Sequence, residues 1–198
     1  MKLNYKNGGD LLNFQDYNFS TDRLIIRPLD FSDYDSWLLS FSERKESKYR
    51  HDKGKIDLTD RNKKWFNNFV DNHRKLFEND EMYIFSIFDK KGKHLGMIDI
   101  VTIERENFQW GECGFYIHNQ FWNNGFAYES MLKVLEIANK ELGFHRLEAH
   151  VNLDNKPSSN LLKKLGFEFE CTRKGFIYEF GEWTDNHIYF MNLHDEEL

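Results

Sequence analysis

The stretch QFWNNGFAYES, residues 120–130, stands between a strand-like run and a long amphipathic run, and it places two asparagines and a glycine where a helix is about to begin. A glycine there eases a tight strand-to-helix turn. Small residues at a helix N-terminus also let a phosphate approach backbone N–H groups that lack an intrahelical partner. The stretch alone admits both readings, so its flanks have to decide. Downstream, Ala127, Met131, Val134, Leu135, Ala138 and Leu142 share one helical face, and Gly143 is placed to end the helix. On the outer face, Glu129–Lys133 and Glu136–Lys140 stand in the favourable i,i+4 order. Upstream, WGECGFYIHN alternates Glu112, Gly114 and Tyr116 against Cys113, Phe115 and Ile117, as a strand does.

The remaining sequence extends this pattern. RLIIRPL, 23–29, is a short strand ending at Pro28, and residues 1–20 before it read as a loosely structured lead-in to one domain over 21–198. Tyr34, Trp37, Leu38 and Phe41 predict one helix, and Trp65, Phe66, Phe69, Val70, His73, Leu76 and Phe77 a second. The charged, aperiodic SERKESKYRHDKGKID between them reads as a surface loop. MYIFSIFD and HLGMIDIVTI form a hairpin about KKGK. After the long helix come a strand, HRLEAHVNL, with Leu147, Ala149 and Val151 inward, a short helix, NKPSSNLLKKL, ending at Gly166, and two strands turning near Gly181. A helical crossover makes the strands on either side of the long helix parallel, whereas the hairpins are antiparallel. The fold class is therefore mixed α/β, with helices flanking the sheet.

Composition narrows the function classes. A length of 198 residues suits one domain with a full core, and 40% hydrophobic with 17% aromatic residues argues against disorder. The net charge of −6 disfavours nucleic acid as a partner and is compatible with cationic substrates. Cys113 and Cys171 give neither a disulfide framework nor a CxxC motif, and they read as buried thiols in a reducing compartment. The N-terminus lacks the apolar stretch of a signal peptide, and no run is long enough to span a membrane, so the expected location is cytoplasmic with no membrane partner. The eight histidines show no HExxH and no paired ligand spacing, so no metal is expected.

Four stretches in order carry a family resemblance: TDRLIIRPL; ECGFYI running into FWNNGFAYES; NKPSSNLLKKLGF; and GEWTDNHIYF. With these, residues from about 21 to 193 resemble the GNAT acyltransferase superfamily, in the branch of ribosomal-protein N-terminal acetyltransferases and their small-amine relatives. The resemblance implies a mostly antiparallel sheet with a splayed central parallel strand pair. It implies acetyl-CoA as cosubstrate, its pantetheine arm against the edge of Phe115, Tyr116 and Ile117. The pyrophosphate would then lie on the N–H groups of Asn123, Asn124, Gly125, Phe126 and Ala127. The family usually carries two glycines here. This chain keeps Gly125 and has Asn123 at the other position, a residue that tolerates left-handed backbone.

Acetyl transfer to an amine needs a neutral nucleophile, a stabilised oxyanion and a tolerable leaving group. Glu112 matches the family's strand glutamate and is the candidate base, with Glu179 as the alternative; the contrary reading pairs Glu112 with an arginine. Ser158, three residues after Asn155, is the candidate hydrogen-bond donor to the CoA sulfur, and Asn155 the candidate for the pantetheine amide. Both also suit plain capping roles. Many relatives place a tyrosine seven residues after this asparagine; here the position is Leu162. The N–H groups of Phe115–Ile117 are the candidate oxyanion donors. Arg23 and Arg27 flank the first strand and read as surface ion-pair partners, with acceptor binding as the alternative, and His145 and His150 as solvent-facing or locally packed. The acceptor is a protein N-terminal α-amine or a small amine, with the SERKESKYRHDKGK loop bordering its site. A non-catalytic acyl-CoA-binding sensor is the competing reading, and a homodimer is left open.

Overall fold

The computed structural model describes residues 14–193. One eight-stranded sheet runs through it. Its strands are β1 (Phe19–Ser20), β2 (Leu24–Arg27), β3 (Met82–Asp89), β4 (His94–Glu104), β5 (Trp110–Ile117), β6 (Arg146–Asn152), β7 (Glu168–Glu179) and β8 (Glu182–Asn192). Their spatial order is β1-β2-β3-β4-β5-β6-β8-β7. Four helices accompany them: α1 (Tyr34–Ser42), α2 (Lys63–Glu78), α3 (Phe126–Lys140) and α4 (Lys156–Lys164). Every neighbouring pair is antiparallel except β5 and β6, which α3 joins as a crossover.

That parallel pair is short. Trp110, Gly111 and Glu112 are in register with Arg146, Leu147 and Glu148, and the pairing then stops. Beyond it β5 stays on β4 as far as Ile117, while β6 stays on β8 as far as Asn152. The sheet therefore forks after Glu112, leaving the Cys113–Ile117 edge without a strand beside it.

Alternation separates two cores. Phe85 and Ile87 of β3 join Ile98, Ile100, Cys113, Leu147, Ala149 and Val151 against Met131, Val134, Leu135 and Ala138 of α3. Phe88, on the other face of β3, joins Leu29, Trp37, Phe66 and Val70 under α1 and α2. The α2 stripe buries its centre, Phe66, Val70, His73 and Phe77, and starts behind an N-cap: Asn62 Oδ1 accepts from Trp65 N at 3.0 Å. Asn62→Ala should cost about 1 kcal/mol, read as a lower urea midpoint with an unchanged slope.

Three sequence expectations about the fold need correction. Within the stretch read as a lead-in, the described residues from Phe14 onward are part of the fold. Phe14 and Tyr17 are core residues, their rings 5.3 and 4.6 Å from that of Phe77, and β1 pairs with β2. Residues 1–13 lie outside the described residues. The Glu129–Lys133 pair does not form either. Glu129 turns to Arg23 and Thr21 across the fold, and Lys133 pairs with Glu136. Both cysteines lie in strands as free thiols, but only Cys113 is buried as expected; Cys171 of β7 is half-exposed at the sheet's outer strand. No helix of the described residues is long and apolar enough to cross a membrane.

Candidate active site

The fork opens onto a cleft of about 440 Å³. Its walls include Phe115, Tyr116 and Ile117 from the free edge of β5, the whole turn Asn123–Ala127, and Asn155 and Ser158 from the start of α4. Ten of the eleven residues singled out from the sequence thus meet on one surface. Glu112 is the exception: it lies lower on β5, at the last paired position before the fork.

The turn has the geometry that a close-approaching anion needs. Asn123 takes φ +63° and Gly125 φ +77°, so the asparagine adopts the left-handed backbone where a second glycine was expected. Gly125 is the N-cap of α3 and carries no capping side chain, leaving the first-turn N–H groups for a ligand. A Cβ on Gly125 would meet only Arg23 Nη2, at 3.5 Å. Arg23 braces this turn from β2's flank. It donates to Glu129 Oε2 at 2.6 Å and to the Asn124 carbonyl at 3.0 Å, and lies 4.9 Å over the Phe126 ring. Desolvation pushes Glu129 up, but hydrogen bonds from Thr21 and Arg23 outweigh it and hold the carboxyl below its ordinary range.

At the other wall, Asn155 Oδ1 caps α4 by accepting from Ser158 N at 3.3 Å, and it also accepts from the Tyr49 hydroxyl at 2.9 Å. Capping and cleft lining coexist in the same residues. Leu162 is fully buried and faces the core, while Leu161 reaches the cleft, so the position of the relatives' tyrosine points inward here.

Glu112 has a partner, and it is a histidine rather than an arginine. His150 Nδ1 lies 3.0 Å from Glu112 Oε1, and His150 Nε2 lies 3.2 Å from Glu148 Oε2. Burial lowers the His150 imidazole, but its bonds to Glu112 and Glu148 more than compensate and raise it above the usual value. Glu148 is itself held by Arg146 and Arg173. Glu179, the alternative base, accepts from Thr184 Oγ1 at 2.6 Å and from the Asn152 amide.

Sequence reasoning missed nine residues of the cleft wall. Tyr49, His51 and Asp52 come from the loop between α1 and α2; Phe121, Trp122, Tyr128, Pro157, Leu161 and Lys164 complete the set. Trp122 Nε1 donates to the Ile117 carbonyl at 2.7 Å, and Lys164 Nζ lies 4.2 Å from the Tyr128 ring centroid. The loop is no plain surface loop. Buried Arg44 donates to the Gly54 carbonyl at 2.6 Å, contacts Asp52, and reaches His118 Nδ1 at 3.2 Å. A guanidinium only donates, so His118 Nδ1 accepts and its Nε2–H donates to His94 Nδ1 at 3.0 Å. Burial drives both imidazoles down, His94 to about 3 and His118 to about 2, so both stay neutral. Asn119 completes the attachment, accepting from Lys45 N at 2.8 Å and donating to its carbonyl at 2.7 Å. The described residues hold no group of three or more side chains suited to a metal.

A mixed sheet that parts at one parallel pair, with a bare helix N-terminus facing the gap, defines the GNAT class of fold. The family model described as an acetyltransferase (GNAT) domain matches residues 23–168, and the chain belongs to that family. It is 37% identical over 78 residues to the uncharacterized N-acetyltransferase YoaA of Bacillus subtilis, a segment covering 39% of this chain and 44% of that protein. It is 27% identical over 105 residues to the ribosomal protein uS5-alanine N-acetyltransferase of Escherichia coli, covering 52% of this chain and 54% of that one. The matched segments thus span about half of these relatives.

A putative ribosomal-protein-serine acetyltransferase from Vibrio cholerae superposes with TM-score 0.72 at 18% identity, over 90% of this chain and 98% of that one. RimJ of Mycobacterium smegmatis, solved with CoA-disulfide, superposes with TM-score 0.71 at 19% identity, over 85% of this chain and 81% of that one. At such identities the likeness shows the fold.

Proposed function

We propose that this chain transfers an acetyl group from acetyl-CoA to a primary amine by direct attack of the amine on the thioester. The observation that carries the proposal is the cleft at the fork, where a bare helix N-terminus, an unpaired strand edge and the Asn155–Ser158 cap converge. Bound acetyl-CoA would supply an activated carbonyl carbon and a thiolate leaving group. The α3 N–H groups bind its pyrophosphate, and the β5 edge aligns its pantetheine arm. Asn155 has its oxygen committed to Tyr49 and Ser158, which leaves its amide nitrogen to donate to the arm. Amine acceptors with pKa of about 7.7–10.4 reach the enzyme mostly protonated at pH 7. Glu112, oriented by His150, takes that proton.

The E. coli relative is named for the alanine of a ribosomal protein, which makes the protein N-terminal α-amine the first acceptor class to test and small amines the second. Asn123 in place of a glycine would favour a non-catalytic acyl-CoA-binding module. Its φ of +63° weighs against that reading, because the asparagine holds the left-handed backbone a glycine would adopt. Calorimetry with CoA, followed by thiol release from acetyl-CoA against a panel of N-terminal peptides and small amines, tests the proposal. Absence of CoA binding to folded protein would end it; binding without thiol release across the panel would favour the non-catalytic module.

Ser158 Oγ is the cleft hydroxyl assigned to the departing sulfur. A thiol pKa near ~8.5 makes the thiolate a fair leaving group, so this help is useful without being obligatory. Ser158→Ala should therefore lower kcat by about tenfold to a hundredfold, the scale of one hydrogen bond to a charged group. CoA affinity should change little, since the bond strengthens only as charge develops. Full kcat in a chemistry-limited assay would reduce Ser158 to a first-turn helix residue.

A further inference from the structure

The face of β5 that carries Glu112 holds a second carboxylate. Asp99 of β4 is in register with Gly114, and a Cβ on Gly114 would lie 3.0 Å from both Asp99 carboxylate oxygens. The carboxylate thus lies across the gap left by the missing side chain, between the levels of Glu112 and Tyr116. It accepts no hydrogen bond and meets no cation among the described residues. Its neighbours make this costly. Ile84 faces it from β3, and the titratable groups it interacts with are Glu112, Tyr116 and Cys113 of β5, with His150 reached through Glu112. A half-buried carboxylate beside another carboxylate, with oxygens not sealed from solvent and no cation supplied by the fold, gains from a ligand that brings positive charge.

We propose that Asp99 is the anion that captures the acceptor amine as its ammonium, one strand away from Glu112. This rests on the acetyltransferase reading above and assigns to that site a preference for acceptors that arrive cationic. The ammonium lies between the two carboxylates. One N–H proton passes to Glu112, whose other oxygen is held by His150, and the remaining N–H groups stay on Asp99 while the freed electron pair attacks. Asp99 therefore acts on capture and Glu112 on proton transfer. Burial, and then the Glu112 charge, pushes Asp99 up to about 6, so it becomes an anion only above that pH.

Two measurements test this. In the first, the Asp99 side-chain carboxyl is titrated by carbon NMR in CoA-bound protein, with and without n-butylammonium. The probe should lower the Asp99 titration midpoint, and an unchanged midpoint at high probe concentration overturns the proposal whether or not the protein turns over. In the second, Asp99→Asn should raise the acceptor KM about tenfold to a hundredfold at pH 7.5, with a smaller fall in kcat. That KM difference should shrink below pH 6, where the wild-type carboxyl is itself neutral. Gly114→Ala, which keeps the charge but presses on the carboxylate, should raise KM in the same direction. An active wild type whose KM is untouched by both variants would overturn ammonium capture and leave the acetyltransferase reading standing. A probe-dependent shift in a protein that releases no thiol would do the reverse.

Discussion

Gly125→Val should weaken CoA binding by about a hundredfold to a thousandfold in calorimetry while the far-UV circular dichroism stays that of the parent. The helix cap at φ +77° is a conformation that a β-branched residue adopts only under strain. The substitution therefore reshapes the turn and tilts the first-turn N–H groups away from the cleft. Losing two charge-assisted hydrogen bonds, each worth about 1.5–3 kcal/mol, accounts for the size of the effect. The core should be spared, because a side chain at this position meets Arg23 and no apolar packing. A variant that binds CoA as tightly as the parent would show that the anion lies elsewhere.

Glu112→Gln should lower kcat/KM about a hundredfold near pH 7, the low end of what a positioned general base contributes. The loss should diminish as the pH rises toward the amine pKa, since more substrate then arrives neutral. His150 supplies an internal control. Its folded-state pKa is raised by Glu112, so the pair stabilises the protein below the ordinary imidazole pKa, and that contribution fades as the pH rises through the raised value. Glu112→Gln should therefore melt lower than wild type at pH 5.5 and match it near pH 9. Rates compared near pH 8 report chemistry with little contribution from stability. A pH–rate profile identical to the parent's in shape and height would transfer the base to Glu179 or to water.

What was legible in the sequence was local. Gly125 before an amphipathic run, Asn155 three residues ahead of Ser158, and the alternation of β5 each depend on residues within one turn or one strand of each other, and the cleft gathers Gly125, Asn155, Ser158 and the Phe115–Ile117 end of β5. The illegible parts are tertiary. No periodicity announces that Tyr49 will reach Asn155, or that His150 will face Glu112 across a parallel pair only three residues long. β1 has two residues, too few to show a period; the aromatic spacing of Phe14, Tyr17 and Phe19 in a polar stretch was the available signal. Asp99 was visible too, as a lone acid within the otherwise apolar core of HLGMIDIVTI, but its meaning needed the empty place above Gly114.

The attachment of the α1–α2 loop bears on how such an enzyme could change its acceptor. Arg44 ties that loop to His118, and Asn119 ties Lys45 to the turn that follows β5. Tyr49, His51 and Asp52 of the same loop line the cleft assigned to CoA. The segment proposed to border the acceptor site and the cleft proposed to hold the donor are thus not separable modules. A loop transplanted from a relative would bring a new acceptor preference only if the residues facing Arg44, His118 and Asn119 travelled with it. Swaps that leave them behind should register first as weakened CoA binding. Evolution of acceptor choice on this scaffold is expected to proceed by point changes at the loop's tip, with its roots kept fixed.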